Sequence, residues 1–346
     1  GEFRDIKKLK EKNYFFKMSK YQDKLISHIE SNPKFIQPEH RKNEILGFLR
    51  QPLNDLCISR PKSRLNWGIE LPFDKDYVTY VWFDALINYI TAVGFNQGTE
   101  IFDSWWPVSY HLIGKDILTT HAVYWPTMLL SAGIKLPESI FAHGWWLMGE
   151  SKMSKSLGNV INPMDLIDDY GVDPVRYYLM REMVLGQDSN FTMESFIQRY
   201  NSDLANDFGN LLSRVTTLIK KNYDGKIPEP GEYLDSDLQI RLKGESLSSK
   251  VEVLIGEMRL NEAIEDIMQY IRTVNKYMED NAPWKLVKED KVAAGRILYV
   301  AGEALRLGAV LLSPVMPHRT GILLDALNAL NTNTSWGKLN PNSMLK

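Results

Sequence analysis

The stretch Gly149-Glu150-Ser151-Lys152-Met153-Ser154-Lys155-Ser156-Leu157-Gly158-Asn159 places two lysines three apart among small polar residues, with a glycine toward each end. It follows directly on the apolar run Trp145–Met148. Glycines let a loop take unusual backbone angles. Lysines put compact charges on flexible stems. A loop of this kind after a parallel strand suits a transient polyphosphate, because two ammonium groups can close on developing negative charge and then retreat. The plainer alternative is a solvated surface loop, so the rest of the chain has to decide. The tetrapeptide Lys-Met-Ser-Lys also occurs at Lys17–Lys20, inside FFKMSKYQDKL, a helical context with no glycine nearby. That copy reads as a coincidence.

Upstream of the loop, the β-branched and aromatic run Tyr77–Phe83 predicts a strand, followed by a helix over about Ala85–Val93. Tyr110–Ile113 predicts a second strand ending at Gly114. A helix over about Asp116–Ala132 and a strand at Ser139–His143 follow. Strand, helix and strand of these lengths form a βαβ unit, hence a parallel sheet with a covered face. Nearer the start, apolar residues at helical spacing after Pro38 predict a helix through Leu49. Downstream, Pro163 opens a short helix that ends near Gly171, and Asp173-Pro174 caps another. From Thr192 the pattern is almost wholly helical, with breaks at Asp224–Gly231, Ala282-Pro283 and Ser313-Pro314. Three to five long helices make an α-bundle. The fold class is therefore α/β plus all-α, with a parallel sheet followed by a helical bundle.

The composition is 44% hydrophobic and 24% charged with a net charge of −2, so no overall basic field advertises a polyanion. Local patches remain able to bind one. The single cysteine, Cys57, excludes an internal disulfide framework and a cysteine-rich zinc knuckle within these 346 residues. Glu303 and Arg306 interrupt the apolar segment Ile297–Met316, which reads as a buried helix rather than a membrane span. A cytoplasmic protein with no membrane partner is the expectation.

The full string KMSKSLGN resembles the signature loop of class I aminoacyl-tRNA synthetases. Together with YVWFDALINYI (Tyr80–Ile90), HLIGKDILTTHAVYWPTML (His111–Leu129), AHGWWLMGESKMSKSLGN and NAPWKL (Asn281–Leu286), it is similar to methionyl-tRNA synthetase. The resemblance runs over essentially the whole chain, with least support in residues 1–12 and 325–346. It implies the second half of a Rossmann-type sheet carrying the loop, then an anticodon-binding bundle. Its divisions would be the tail of a connective insertion (1–60), the second half of the catalytic domain (61–145), the loop and stem-contact region (146–191) and the helical domain (192–346).

In that family methionine is activated by Mg-ATP to methionyl-adenylate and passed to tRNA(Met), so ATP with Mg2+ is a substrate. No protein-bound metal is expected in this chain. The resemblance makes Lys155 the principal phosphate-contacting lysine, with Lys152 supporting. It places Gly114, Lys115, Asp116, Trp146, Leu147 and Ser154 with them at the nucleotide. Trp82, Ala85, Tyr89, Ile90, His121 and Trp125 would line the methionine pocket, where aromatic edges suit a polarizable thioether. Tyr89 and His121 would supply polar contacts on the sulfur side. Leu86 stands where family members can carry proline. Asn210, Arg214 and Trp284 would meet the anticodon, an indole offering a base its stacking platform. Lys220, Lys221, Lys226 and Lys285 could hold phosphates nearby. Without the resemblance, these aromatics read as core and these polar residues as a solvated face.

A His-x-Gly-His element belongs to the first half of the family's nucleotide fold. None occurs here, and neither His111-Leu-Ile-Gly nor His143-Gly144 fits it. The chain is therefore expected to be a synthetase component that works with an N-terminal half. That half could come from the same gene product or a separate subunit, and it would hold the partner of the methionine amino group and any zinc knuckle. The alternatives are a non-catalytic tRNA-binding module using the bundle, or a fragment of another class I synthetase such as a cysteinyl enzyme. Retained pocket aromatics with an intact signature loop favour the synthetase, since a mere binder needs neither.

Overall fold

A computed structural model describes residues 11–98, 100–108, 110–149, 151–152 (backbone) and 161–346, and the chain divides into two compact units between Gly144 and Trp145. The elements of the first unit that bear on the site are α1 (Gln22–Ser31), β1 (Ile36–Gln37), α2 (Glu39–Leu49), β2 (Ser59–Pro61), β3 (Glu70–Leu71), β4 (Asp74–Thr79), α3 (Val81–Ala85), α4 (Asn88–Thr91), β5 (Tyr110–Gly114), α5 (Trp125–Ala132) and β6 (Ser139–His143).

Strands β1, β6 and β5 form one sheet in that order, all parallel, with β5 in register on β6 from Tyr110↔Ser139 to Gly114↔His143. β6 is the middle strand and is buried from Ser139 through Ala142, as a strand covered on both faces must be. β5 alternates: His111 and Ile113 are buried, while Tyr110 and Leu112 are exposed. Leu25 and Ile29 of α1, Ile45 and Leu49 of α2, Ile113 and Ile140 share one apolar core. The expected βαβ unit is thus present. Its crossover helix is not uniform, however. It opens as a 3₁₀ turn at Lys115–Ile117, passes through a π segment at Thr120–Tyr124 and ends at Gly133, whose φ of 70° suits glycine.

The run expected to be a strand over Tyr77–Phe83 divides. β4 stops at Thr79, where its partner β2 stops at Ser59, and Val81–Ala85 is helical. The backbone pairing ends with the Tyr80 N–H on the Ile58 carbonyl (2.8 Å), and Trp82 and Phe83 pack against the cluster of Leu86, Ile90, Trp106 and Trp125. The helix expected over Ala85–Val93 is correspondingly two short turns, α3 and α4. The Lys17–Lys20 copy has a structural role. Met18 is buried in the core of this unit, and the Ser19 hydroxyl donates to Asp55 Oδ1 at 2.7 Å.

The second unit opens with a small sheet of β7 (Trp146–Met148), β8 (Ser151–Lys152) and β9 (Ser189–Asn190), with β7 in the middle. Helices α6 (Pro163–Tyr170) and α7 (Val172–Glu182) lie between β8 and β9 in sequence. Asp173 does not cap α7. The N-cap is Gly171, and Asp173 is buried, with its carboxylate accepting the Arg319 N–H at 2.6 Å. It therefore caps a helix 146 residues away, supplying the acceptor that the first turn of that helix lacks.

The bundle consists of α8 (Met193–Arg199), a π segment (Tyr200–Gly209), α9 (Asn210–Asn222), α10 (Asp235–Gly256), α11 (Leu260–Asn281), α12 (Pro283–Leu286), α13 (Lys291–Leu312) and α14 (Pro317–Ala326). The breaks expected at 224–231, 282–283 and 313–314 are present, and one not expected from the sequence separates α10 from α11, where Met258 has φ of 59°. α13 is buried on every side from Ala294 to Ala309 and packs against α9, α10, α11, α12 and α14.

Of the charges in α13, Glu303 and Arg306 are fully buried and anchor the C-terminal tail, while Arg296 pairs with Asp237 at 2.7 Å. Arg306 gives two N–H groups to the Glu303 carboxylate (2.6 and 2.9 Å), and the others go to Thr332 Oγ1, the Asn333 carbonyl and the Ser335 carbonyl. Glu303 also accepts the backbone N–H groups of Lys338 (3.0 Å) and Leu339 (2.8 Å). Every guanidinium donor is used, which is the condition under which a buried ion pair is tolerated. Arg306→Met strands the carboxylate and should cost about 3–5 kcal/mol. The urea midpoint should fall and protease sites should open after Leu327. An unchanged midpoint would show that the pair anchors nothing.

Candidate functional site

The residues expected to line a methionine pocket fall on α3, α4 and the crossover helix, all within the first unit. The βαβ geometry sets His121 and Trp125 inside, both almost fully buried. His121 Nδ1 lies 2.9 Å from the Ile117 carbonyl oxygen and so carries the proton. Its Nε2 is then an acceptor, and the Tyr89 hydroxyl donates to it at 2.9 Å. Burial holds His121 below the ordinary histidine range, in keeping with a neutral ring, and pushes the Tyr89 phenol up. The expectation that Tyr89 and His121 each offer a polar contact is thus modified: they bond to each other and present the phenol oxygen as one group. Trp125 lies 6.0 Å from Tyr89, ring centroid to centroid. Trp82 packs at the edge of this cluster. Ile90 and Trp125 also line an apolar cavity of about 360 Å³ with Phe83 and Met128. The Ala85 carbonyl accepts from the Asn88 side chain. Leu86, at the position where proline can occur, is buried in the same cluster.

Sequence reasoning passed over His111. Its ring centroid is 4.3 Å from that of Tyr89, and its Nε2 accepts the Trp125 indole N–H at 3.1 Å. Burial, with the neighbouring His121 second, lowers it to about 4. The available signal was its inward position in the alternating strand Tyr110–Ile113, where a histidine needs a partner.

The nucleotide set is divided. Gly114, Lys115 and Asp116 form the turn after β5 in the first unit. A Cβ on Gly114 would sit 2.7 Å from Asp116 Oδ1, so glycine is what lets that carboxylate fold over the strand end. Trp146 and Leu147 lie on β7 in the second unit. The Trp146 ring stacks on Tyr178 at 5.8 Å, and the Leu147 carbonyl accepts the Phe191 N–H at 2.9 Å. Lys152 pairs through its backbone with Leu147. Ser154 and Lys155 lie outside the described residues.

The anticodon set converges at one place on the bundle. Ala282, with φ of 39°, ends α11 in the left-handed region; Pro283 opens α12 and leaves Trp284 partly exposed. The Arg214 guanidinium lies over the Trp284 ring, 5.0 Å from its centroid. Two cavities meet at Ser213 and Arg214. One, of about 450 Å³, includes Thr217, Leu218 and Trp284. The other, of about 320 Å³, is polar and is lined by Asn206, Asp207, Asn210, Asn275 and Glu279 as well. An aromatic platform beside a cleft of amide and guanidinium donors can take unstacked bases. Lys220, Lys221, Lys226 and Lys285 are exposed.

A parallel βαβ unit with its glycine-turned strand end, followed by a small sheet and a helical bundle with an aromatic–arginine cleft, is the architecture of a class I aminoacyl-tRNA synthetase. Residues 4–216 match the family described as tRNA synthetases class I (M), and residues 227–346 match the anticodon binding domain of methionyl tRNA ligase. The methionine–tRNA ligase of Caldanaerobacter subterraneus subsp. tengcongensis is 42% identical over 97% of this chain and 53% of its own length. That of Clostridium acetobutylicum is 47% identical over 94% and 51%. Methionyl-tRNA synthetase of Mycobacterium tuberculosis, solved with bound methionyl-adenylate, superposes with a TM-score of 0.91 at 41% identity, over 97% of this chain and 68% of that one. The chain belongs to the methionyl-tRNA synthetase family, and it spans about half the length of the curated relatives it matches.

The neutral histidines give the site an acid limb. His111 is ordinarily protonated below about 6.5 but takes its proton only near 4 when folded, so the unfolded chain binds the proton first as pH falls. Stability should therefore be lost from pH 6.5 down to 4, by about 3 kcal/mol from His111. His111→Gln, which keeps an acceptor for Trp125, should flatten that slope in urea titrations at several pH values. Parallel slopes in the parent and the variant would rule out His111 as the cause.

Proposed function

We propose that this chain supplies the methionine pocket, the phosphate-binding loop and the anticodon-reading bundle of a methionine–tRNA ligase acting in the cytoplasm. The observation that carries the reading is the hydrogen-bonded chain Ile117–His121–Tyr89, packed beside Trp125, at the positions where the family resemblance puts a methionine pocket. An RNA-binding module needs the Arg214–Trp284 cleft but has no use for that pocket, which counts against the non-catalytic alternative. Methionine's side chain lies against Trp82, Tyr89 and Trp125, with the phenol oxygen toward the sulfur. One carboxylate oxygen attacks the α-phosphate of Mg-ATP, the bond to the pyrophosphate oxygen breaks, and methionyl-adenylate forms. The 3′ end of tRNA(Met) then takes the acyl group and AMP leaves. Lys155, helped by Lys152, neutralises charge that builds on the phosphates in the transition state. Gly114, Lys115, Asp116, Trp146, Leu147 and Ser154 hold the nucleotide.

The reaction is proposed to require the portion of the synthetase that carries the His-x-Gly-His element, whether in one polypeptide or as a separate subunit. Two observations support this. That element is not in the sequence, and β5, one of the two outer strands of the parallel sheet, has Leu112 more than half exposed.

In the enzyme supplied with that portion, Lys155→Ala should slow adenylate formation by roughly 10²-fold while leaving methionine affinity nearly unchanged, about 3 kcal/mol acting on the transition state alone. Lys20→Ala, in the other copy of the tetrapeptide, should do little. Equal losses at the two lysines would mean that the wrong loop carries the chemistry. Trp284→Ala should weaken tRNA binding by about 1–3 kcal/mol with an unchanged thermal melt. A collapsed melt would make the indole a packing residue instead, since burying and then truncating such a ring costs about 3–5 kcal/mol of stability.

A further inference from the structure

Residues 193–222 run as one helix in three segments, α8, the π segment and α9, and the reading residues begin where the π segment ends. The Asn210 N–H reaches the Ala205 carbonyl, five residues back. Closing on the fifth residue back accommodates one more residue than an α-turn. If the segment reverted to α geometry, everything downstream would turn by about 100°. Asn210 and Arg214 would then leave the cleft they share with Glu279. A π segment is uncommon and needs outside support.

Within the described residues that support comes largely from two side groups. Buried Asp203 accepts the Tyr177 hydroxyl at 2.7 Å and lies within 4.0 Å of Arg181, Arg199 and Arg272. Asp207 is held at both ends by α11: Arg272 Nη1 is 3.3 Å from its carboxylate, and Asn275 Nδ2 donates to its backbone carbonyl at 2.8 Å. Arg272 is shared among Asp203, Asp207 and Glu265, so it tolerates several registers. The Asn275 amide has a second and longer contact, 3.4 Å to the Ile271 carbonyl of its own helix. Only its bond to Asp207 O fixes backbone register, three residues before Asn210.

We infer that Asn275 is a positioning residue of the RNA-reading surface: by holding the Asp207 carbonyl it keeps the π register that turns Asn210 and Arg214 toward the anticodon. This rests on the anticodon reading above.

The test is binding of the chain to an RNA stem-loop with a CAU loop. Asn275→Asp is nearly isosteric and removes the donor. It should weaken binding roughly tenfold, the worth of one well-placed hydrogen bond. Because the loss acts through Asn210 and Arg214 together, adding Asn275→Asp to the double variant Asn210→Ala, Arg214→Ala should weaken binding no further. Asn275→His, whose Nδ1–H occupies the same place, should recover part of the loss. If Asn275→Asp loses its cooperative melt, Asn275→Leu takes its place in the cycle. Additive losses, or no loss at Asn275, would overturn the positioning role and leave the anticodon reading standing. Unchanged binding in Arg214→Ala would overturn the anticodon reading, and this inference with it.

Discussion

A helix buried over most of its length has to be wrapped, and α13 imposes that condition on the helical bundle. Five helices pack against it, and the chain's last residues fold over what remains. Close approach is bought locally by small residues: a Cβ on Gly308 would sit 2.9 Å from Ile271, and one on Gly302 would sit 2.9 Å from Leu339. Glu303 and Arg306 turn a fully buried polar interruption of this helix into the tail's anchor. The order of wrapping then settles where the ends of α9 and α11 meet α12. The Arg214–Trp284 cleft is built at that meeting point.

In the first unit the equivalent constraint is the need to satisfy buried imidazoles. His121 spends its proton on a backbone carbonyl, which makes it an acceptor, which in turn orients Tyr89. His111 stays neutral to accept from Trp125. Each assignment follows from the one before, so the pocket has a single hydrogen-bonding state above acid pH. A site of this kind suits a soft, neutral side chain. It presents one phenol oxygen and aromatic walls, with no charge that would demand a partner.

The parallel unit was legible because β5 and β6 differ in pattern as an outer and a middle strand should, and because Gly114 and Gly133 mark real ends. The bundle was legible from its breaks at Asp224–Gly231, Ala282-Pro283 and Ser313-Pro314. Tyr77–Phe83 was not, because strand propensity cannot tell that the ladder partner stops at Ser59. Asp173 looked like a local cap because sequence shows only neighbours, whereas its partner is Arg319. The two π segments left no mark in the sequence. Both depend on tertiary contacts, and both precede residues proposed for the site, Trp125 in one case and Asn210 in the other. His111 was visible as a residue but had no signature, since its role comes from Tyr89 and Trp125, brought to it by the fold.

We propose that this chain selects methionine for activation in concert with the remainder of a synthetase. Methionine-dependent exchange of pyrophosphate into ATP measures it directly, with the chain alone, with the remaining portion alone and with the two combined. Exchange is expected only in the combination, supported by methionine and not by leucine. Exchange by the chain alone at a comparable rate, or a combination that responds equally to leucine, would contradict it.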